Sequence, residues 1–208
     1  GHNRSRPSIS SADQRESFDS VTSAIYPHLD KPVISPDMTS PSDTSSDIEA
    51  SLLTRLDALG IDVEIHRHPP LHTVEESRAL RGAMPGGHIK NLFLRDKKRR
   101  QWLVTVLEDA TVDLKALRHT LGASGNLSFG SADLLAASLG VAPGSVTPFA
   151  VIHDADEVVT MVLDRAILDH DPINAHPLHN EATAAIARDD LLRFLAACGH
   201  PPELIDLD

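Results

Sequence analysis

Cysteine and aromatic residues are scarce in this sequence. Cys198 is the only cysteine among 208 residues, which excludes an intramolecular disulfide framework and fits a reducing compartment. Aromatic residues make up 3% of the chain, so we expect a core built from aliphatic side chains. The remaining composition, 41% hydrophobic and 24% charged, is typical of a soluble globular protein.

Long apolar runs are also absent. The sequence contains no run of about eighteen apolar residues, so it predicts no membrane-spanning helix and no membrane partner. The first residues lack the apolar segment of a signal peptide. Together with the lone cysteine, this pattern predicts a cytoplasmic protein.

The charge is acidic overall but uneven along the chain. A net charge of -11 argues against general nucleic-acid binding. The segment 87–118 nevertheless has more basic than acidic residues, and this surplus supports either a solvated hairpin tip or a local phosphate-contacting patch. Its basic residues are Lys90, Arg95, Lys97, Lys98, Arg99, Arg100, Lys115 and Arg118.

Residues 1–46 differ in composition from the rest of the chain. They are rich in Ser, Thr, Asp and Pro, and such a segment buries too little apolar surface to offset the entropy lost on ordering. We therefore predict a flexible extension over residues 1–46 and a folded domain over residues 47–208.

Apolar periodicity and turn residues divide the domain into short elements. The spacing predicts helices that begin after Ser45 or Ser46, after Thr73, at Asp113, at Ser131 and at Arg188. It also predicts a strand at 63–65, a hairpin of strands 89–94 and 102–107, and a second hairpin of strands 149–153 and 158–163. Because helices and strands are interspersed, we expect a single α/β (mixed α+β) domain with helices around a mixed sheet.

Two polar residues interrupt the first of these hairpins. A glycine-rich turn, Met84 to Gly87, leads into an apolar strand that contains Lys90 and Asn91. Lysine costs free energy beside a packed strand unless an anion or a catalytic task holds it there, and glycine lets the backbone approach a ligand closely. The segment is not a Walker A loop, because the Gly-Lys-Ser/Thr spacing is missing. The alternative is a lysine that is structural or merely exposed.

Two prolines bracket a glycine and two hydroxyls in the segment Pro143 to Pro148. The simpler interpretation is a rigid turn entering a strand. The functional interpretation is a preformed loop in which Gly144 and its neighbours direct backbone groups at a small polar ligand.

Histidines form two further candidate sites. His176, restrained by the proline that follows it, could orient a ligand hydroxyl or carboxyl group, although a lone histidine there is more often structural. His66 and His68 at strand spacing, with His72 nearby, could bind a metal. No cysteine or carboxylate completes that set at a conventional spacing, so we expect no metal and no cofactor.

Taken together, four segments resemble one family. GHIKNLFLRDKK, VTVLEDATVDLKAL, LGVAPGSVTPFAV and HPLHNEATAAI are similar to the freestanding prolyl-tRNA editing proteins of the YbaK/INS-like superfamily of aminoacyl-tRNA deacylases, with the ProXp-ala branch the most similar. The resemblance runs in order from about Ile48 to Leu207. It implies the fold of the prolyl-tRNA synthetase editing domain, with a partly barrel-like sheet, and the hydrolysis of mischarged alanyl-tRNA(Pro).

The resemblance also implies roles for individual residues. Lys90 would hold the 3′-terminal nucleotide or phosphate, and the Gly144 carbonyl would meet the substrate amino group or the attacking water. Asn91 and His176 would position the aminoacyl-adenosine end, and Thr73 and Val74 would help to wall the amino-acid pocket. The other expected substrate-binding residues are Ser145, Thr147, Pro148 and Asn180. The implied partner is the 3′ end of mischarged tRNA(Pro), with prolyl-tRNA synthetase or an elongation factor as transient partners. Deacylation of a cysteinyl or seryl ester, or binding without catalysis, are the alternatives.

Overall fold

Short strands and helices alternate irregularly along the chain, as the interspersed periodicities predicted. The computed structural model describes residues 41–69 and 84–207. In this part of the chain the strands are β1 Val63–Arg67, β2 Gly87–Arg95, β3 Gln101–Leu107, β4 Ser128–Phe129, β5 Val159–Asp164, β6 Ile173–Ala175, β7 Ala182–Ile186 and β8 Glu203–Ile205. The α-helices are α1 Pro41–Ala58, α2 Leu114–Thr120, α3 Ala132–Leu139 and α4 Arg188–Ala197, and 3-10 helices span Pro148–His153 and Arg165–Asp169.

One mixed sheet contains all eight described strands. Seven of them follow the order β1-β7-β6-β2-β3-β5-β8, and β4 pairs with the outer end of β2. The pairs β2/β6, β3/β5 and β5/β8 are parallel, whereas β1/β7, β6/β7 and β2/β3 are antiparallel. The predicted mixed α/β fold is therefore confirmed, and β2 and β3 lie in the middle of the sheet.

The β2–β3 hairpin separates two apolar clusters. Because side chains alternate along a strand, Phe93 and Leu103 pack into a first cluster with α1, α3 and α4, while Leu94 and Val104 pack into a second with α2. Most of the buried residues are aliphatic, as expected. A few aromatic rings join them, including Phe149, which packs edge-on against Phe194 with ring centroids 5.4 Å apart.

The predicted helices are present, although the first one begins earlier than expected. Helix α1 begins at Pro41, not after Ser45 or Ser46, because proline suits the first helical turn, where its missing N–H is not needed. Asp113 and Ser131 cap α2 and α3 by accepting backbone N–H groups, as the sequence indicated. The helix predicted after Thr73 lies outside the described residues.

The predicted second hairpin is wrong in its first strand. Residues Pro148–His153 form a 3-10 helix, and β5 instead pairs with β3 and β8. A short apolar run does not distinguish a buried strand from a buried helix by periodicity. Local chemistry decides here, because Pro148 cannot donate to a strand ladder and Thr147 Oγ1 accepts the N–H of Phe149 at 3.4 Å.

Four short strands were not predicted from the sequence, namely β4, β6, β7 and β8. Strand β7 has the sequence ATAAI, and alanine has a low preference for strands. It forms because β1 and β6 pair with it on both sides and because alternate side chains are buried. Tertiary pairing therefore outweighs the local preference.

Asp96 fixes the turn that joins β2 to β3. Its buried carboxylate accepts the backbone N–H groups of Lys98, Arg100 and Ser124, and the Arg100 guanidinium pairs with it at 2.8 Å. Burial alone would raise the pKa of Asp96, but the Ser124 N–H and the Arg100 side chain outweigh it and lower that pKa to about 2.

This depressed pKa predicts a specific acid sensitivity. An unfolded aspartate titrates near about 3.9, so the Asp96 contribution to stability is complete above about pH 4 and is lost as the pH falls towards 2. We expect Asp96→Asn to melt at a lower temperature than wild type at pH 7, with the difference shrinking towards pH 2. Thermal melts followed by circular dichroism check this, with the exposed Asp156→Asn as the control. A pH-independent difference would contradict it.

Candidate functional site

The side-chain amide of Asn91 joins the strand that contains Lys90 to the loop Gly144–Pro148. Asn91 Nδ2 donates to the Val146 carbonyl at 2.9 Å. Asn91 Oδ1 accepts the hydroxyl of Thr105 at 2.7 Å. Two segments that are 55 residues apart in the chain are therefore joined at this point.

Thr105 is the residue of this junction that sequence reasoning missed. It lies directly opposite Asn91 in the β2–β3 ladder and is fully buried. Its hydroxyl donates to Oδ1, so the Asn91 amide keeps its NH₂ group turned towards Val146. A hydroxyl in the apolar run WLVTVL, placed across the hairpin from Asn91, is the signal that could have revealed it.

The Gly144 loop is a rigid turn. The N–H of Ser145 donates to the Ala142 carbonyl at 3.0 Å, with Pro143 and Gly144 at the two central positions. Gly144 has a φ of 88°, which is the type II arrangement that favours glycine at the third position. A Cβ atom on Gly144 would meet nothing within 4 Å, so the backbone angle and not lack of space requires glycine.

The rest of the loop is anchored in the protein interior. Ser145, Thr147 and Pro148 are buried, and Thr147 caps the 3-10 helix that follows. The exposed Gly144 therefore lies on a loop whose next residues cannot move independently of the core.

Lys90 reaches towards a different part of the chain from Asn91. Neighbouring residues in a strand point to opposite faces, and Lys90 shares its face with Leu92 and Leu94. Its Nζ donates to the Ala110 carbonyl at 2.5 Å, after the end of β3. Burial lowers the pKa of Lys90, while the charge of Asp109 raises it.

Gly86 and Gly87 make room for the chain itself. A Cβ atom on Gly86 would collide with the Pro172 carbonyl oxygen, and one on Gly87 would lie 2.7 Å from His170 Cβ. These glycines therefore permit the close packing of β2 against the start of β6. The expectation that the glycines of this turn also let a ligand approach the backbone stays a prediction.

His176 follows β6 directly and is half-buried. Its Nδ1 donates to the Ala182 carbonyl at 3.3 Å, which leaves Nε2 as the acceptor nitrogen of the neutral ring. Burial lowers the pKa of His176; the hydrogen bond to Ala182 raises it, and the nearby His68 and His179 lower it further. The neutral ring is thus favoured by its surroundings.

A buried carboxylate supports the loop that contains His176 and Asn180. Glu49 of α1 accepts His179 Nε2–H at 2.8 Å and pairs with both terminal nitrogens of the Arg67 guanidinium. Burial would raise the pKa of Glu49, but the hydrogen bonds from Arg67 and His179 outweigh it, and the pKa is lowered. The half-buried Asn180 lies between this anchor and β7.

One of the histidines proposed as metal ligands, His68, has partners within the chain. His68 Nδ1 lies 2.9 Å from the Pro69 carbonyl, and its Nε2 lies 3.0 Å from Thr183 Oγ1, so both ring nitrogens have partners within the chain. His72 lies outside the described residues, as do Thr73 and Val74. In the part of the chain that the structure describes, no three His, Cys, Asp or Glu side chains are grouped to hold a metal. No helix in that part is long and apolar enough to cross a membrane.

Residues 68–194 match the family described as the aminoacyl-tRNA editing domain. The mouse prolyl-tRNA synthetase associated domain-containing protein 1 is 40% identical over 167 residues, which cover 78% of this chain and 98% of the relative. The prolyl-tRNA editing protein ProX of Acetoanaerobium sticklandii is 34% identical over 162 residues, which cover 77% and 98% of the two chains.

A solved structure shares the fold. The crystal structure of a proposed trans-editing enzyme for prolyl-tRNA synthetase superposes with a TM-score of 0.60 at 22% identity, covering 82% of this chain and 99% of the other. At this level of identity the likeness concerns the fold alone.

The Thr105 hydroxyl predicts a sharp difference between two conservative variants. Thr105→Val keeps the shape but leaves Asn91 Oδ1 without its donor, at a cost of about 1–3 kcal/mol in the free energy of unfolding. Thr105→Ser keeps the hydroxyl and should lie closer to wild type. Denaturant unfolding measures the stability, and hydrogen exchange of residues 144–148 should be faster in the valine variant. Equal hydrogen exchange of residues 144–148 in the two variants would contradict the proposed effect of Thr105 on the loop.

Proposed function

Because the chain belongs to the aminoacyl-tRNA editing domain family, we propose that it hydrolyses the ester of mischarged alanyl-tRNA(Pro). The observation that carries this proposal is the Asn91–Val146 contact, which joins the strand of Lys90 to the Gly144 loop. The strand that contains Lys90 and the loop that contains Gly144 are thus neighbours, while the Lys90 side chain lies on the face of β2 opposite to Asn91. The products are alanine and free tRNA.

Positioning can supply most of the catalysis. An aminoacyl ester is already activated, so a water molecule held near its carbonyl carbon needs little further assistance. Attack forms the C–O bond to water and then breaks the bond to the ribose oxygen, which leaves with a proton. Lys90 holds the negatively charged 3′-terminal nucleotide by charge, as a positioning group and not as the nucleophile.

The turn before Val146 provides the polar backbone around the ester. Gly144 is exposed on a rigid loop, so its carbonyl can accept a hydrogen bond from the substrate ammonium group or from the attacking water. Asn91 holds this loop from the side of the sheet, and the Nε2 of a neutral His176 can accept a hydrogen bond from a ribose hydroxyl. These groups orient the substrate without a covalent intermediate.

The size of alanine explains why such an activity is useful. A site that activates proline cannot exclude alanine well, because a missing methylene changes binding by only about 1–3 kcal/mol. A second site that admits alanine and excludes proline corrects the error. Thr73 and Val74 are proposed to line that pocket.

Changing Lys90 should abolish the reaction and preserve the fold. We expect Lys90→Ala to hydrolyse alanyl-tRNA(Pro) at least about 100-fold more slowly than wild type, since a positioned charge contributes about that much. Release of labelled alanine measures the rate, and thermal melting checks the fold. The exposed Lys115→Ala is the matched control and should match wild type.

The same assay separates the alternatives. A panel of alanyl-, cysteinyl-, seryl- and prolyl-tRNA(Pro) identifies the preferred amino acid, and preference for cysteine or serine would replace alanine as the substrate. Tight binding without hydrolysis of any ester would favour a binding module. Activity that a chelator abolishes would favour a metal-dependent hydrolase.

Gly144 offers a test of the loop itself. Alanine at a positive φ costs about 1–2 kcal/mol of stability, and both Gly144 and Gly60 have positive φ with open space for a Cβ atom. We expect Gly144→Ala and Gly60→Ala to lose similar stability in denaturant unfolding. Only Gly144→Ala should also lose deacylation, at least about tenfold, because Gly60 lies at the end of α1. Equal activity in the two variants would remove the loop from the mechanism.

A further inference from the structure

The turn between β2 and β3 presents an exposed basic surface. We call the exposed residues Lys97, Lys98 and Arg99, with Arg95 beside them on β2, the hairpin-tip surface. Lys97 bonds through its N–H to the Ser124 carbonyl, and the loop that contains Ser124 also contains Asn126, which accepts from Arg118 at 2.9 Å. Arg118 therefore extends the surface across this loop.

The side chains of Asp96 and Arg100 hold the backbone of this turn in place. The carboxylate of Asp96 accepts N–H groups from both sides of the turn and from the neighbouring loop. The guanidinium of Arg100 pairs with Asp96, donates to the Gly122 carbonyl at 2.6 Å and lies 5.1 Å from the centre of the Trp102 ring. The exposed cations thus project from a fixed base and not from a flexible loop.

The positive charge of this surface is not offset locally. Arg100 neutralises Asp96 in an otherwise acidic protein of net charge -11. Among the residues that the structure describes, none of Arg95, Lys97, Lys98, Arg99 or Arg118 forms an ion pair with a carboxylate. A cluster of basic side chains on an otherwise acidic protein favours binding of an anionic partner at this surface.

The hairpin-tip surface lies at the far end of β2 from Lys90. Arg95, at the end of β2, is five positions beyond Lys90, which corresponds to ~17 Å along an extended strand, and Lys97 lies further on, in the turn. A single aminoacyl nucleotide bound at Lys90 cannot span this distance. Several stacked nucleotides can, at ~3.4 Å for each step along one strand.

We propose that the hairpin-tip surface binds phosphates of the RNA that adjoins the aminoacylated end. This inference rests on the proposed function for the identity of the RNA. Lysine and arginine contacts to phosphate supply affinity without reading sequence, so this surface selects a long substrate over a short one. Lys90 and the Gly144 loop then act on the end of a molecule that is held at two places.

The test compares two variants that lose the same charge. The first is Lys97→Gln/Lys98→Gln/Arg99→Gln, and the control is Arg55→Gln/Arg165→Gln/Arg193→Gln, which removes three exposed cations elsewhere. Both are titrated with uncharged tRNA(Pro) and with a three-nucleotide CCA oligonucleotide over a series of salt concentrations. Hydrolysis is measured on alanyl-tRNA(Pro) and on alanyl-CCA.

We expect the hairpin-tip variant to bind tRNA at least about tenfold more weakly than wild type at low salt, with a salt slope smaller by about two to three. Its hydrolysis of alanyl-CCA and its melting temperature should match wild type. The control variant should keep most of the slope. An unchanged slope in the hairpin-tip variant, or an equal loss in the control, overturns the proposal.

Failure of the two proposals can be told apart. If no variant hydrolyses any ester but tRNA binding depends on the hairpin tip, the phosphate surface stands and the deacylase assignment falls. If hydrolysis proceeds and tRNA binding does not depend on the hairpin-tip surface, the deacylase assignment stands and the phosphate surface falls. Wild type and the hairpin-tip variant are also titrated with poly-glutamate. If the variant loses binding to poly-glutamate but binds tRNA as wild type does, the partner is an acidic protein and the RNA assignment is overturned.

Discussion

The hydrogen bond from Asn91 to the Val146 carbonyl is the contact on which the arrangement of the site depends. It crosses from the central hairpin to a loop that follows α3, and the sheet ladder does not connect these two segments. Both residues are half-buried, so separating the donor from the acceptor leaves polar groups without a partner inside the fold, at a cost in free energy. The loop is therefore fixed relative to the strand by one amide, and Thr105 determines which way that amide faces.

Several buried polar groups elsewhere in the fold are also paired with one another. Glu49, His179 and Arg67 satisfy one another across α1, β1 and the loop before β7. Asp154 accepts the N–H groups of Val158 and Val159, and its carboxylate lies 3.0 Å from His200 Nε2. Glu49 and Asp154 therefore each join segments that the sheet ladder does not connect.

Much of the fold could be predicted from sequence, because the β2–β3 hairpin, α2, α3 and α4 each have a local signal. Capping residues and strict alternation act within a few residues. Strand β7 could not be predicted, since alanines form a strand only when neighbours pair on both sides. The 3-10 helix after Thr147 was mistaken for a strand because an apolar run is compatible with both. For the candidate site, the sequence singled out Lys90 and Asn91 because they interrupt an apolar stretch. Their opposite directions follow from alternation, but their partners Ala110 and Val146 depend on tertiary structure.

The opposite orientation of Lys90 and Asn91 has a consequence for how this region can change in evolution. One residue added to or lost from β2 would exchange the two sides of the strand, so the amine would meet the loop and the amide would face Ala110. Substitutions can adjust either group separately, whereas insertions and deletions of a single residue disturb both at once. Length variation in this hairpin is therefore expected to accumulate at its exposed turn, beyond Arg95, where an added residue leaves the pairing of the inner strand intact.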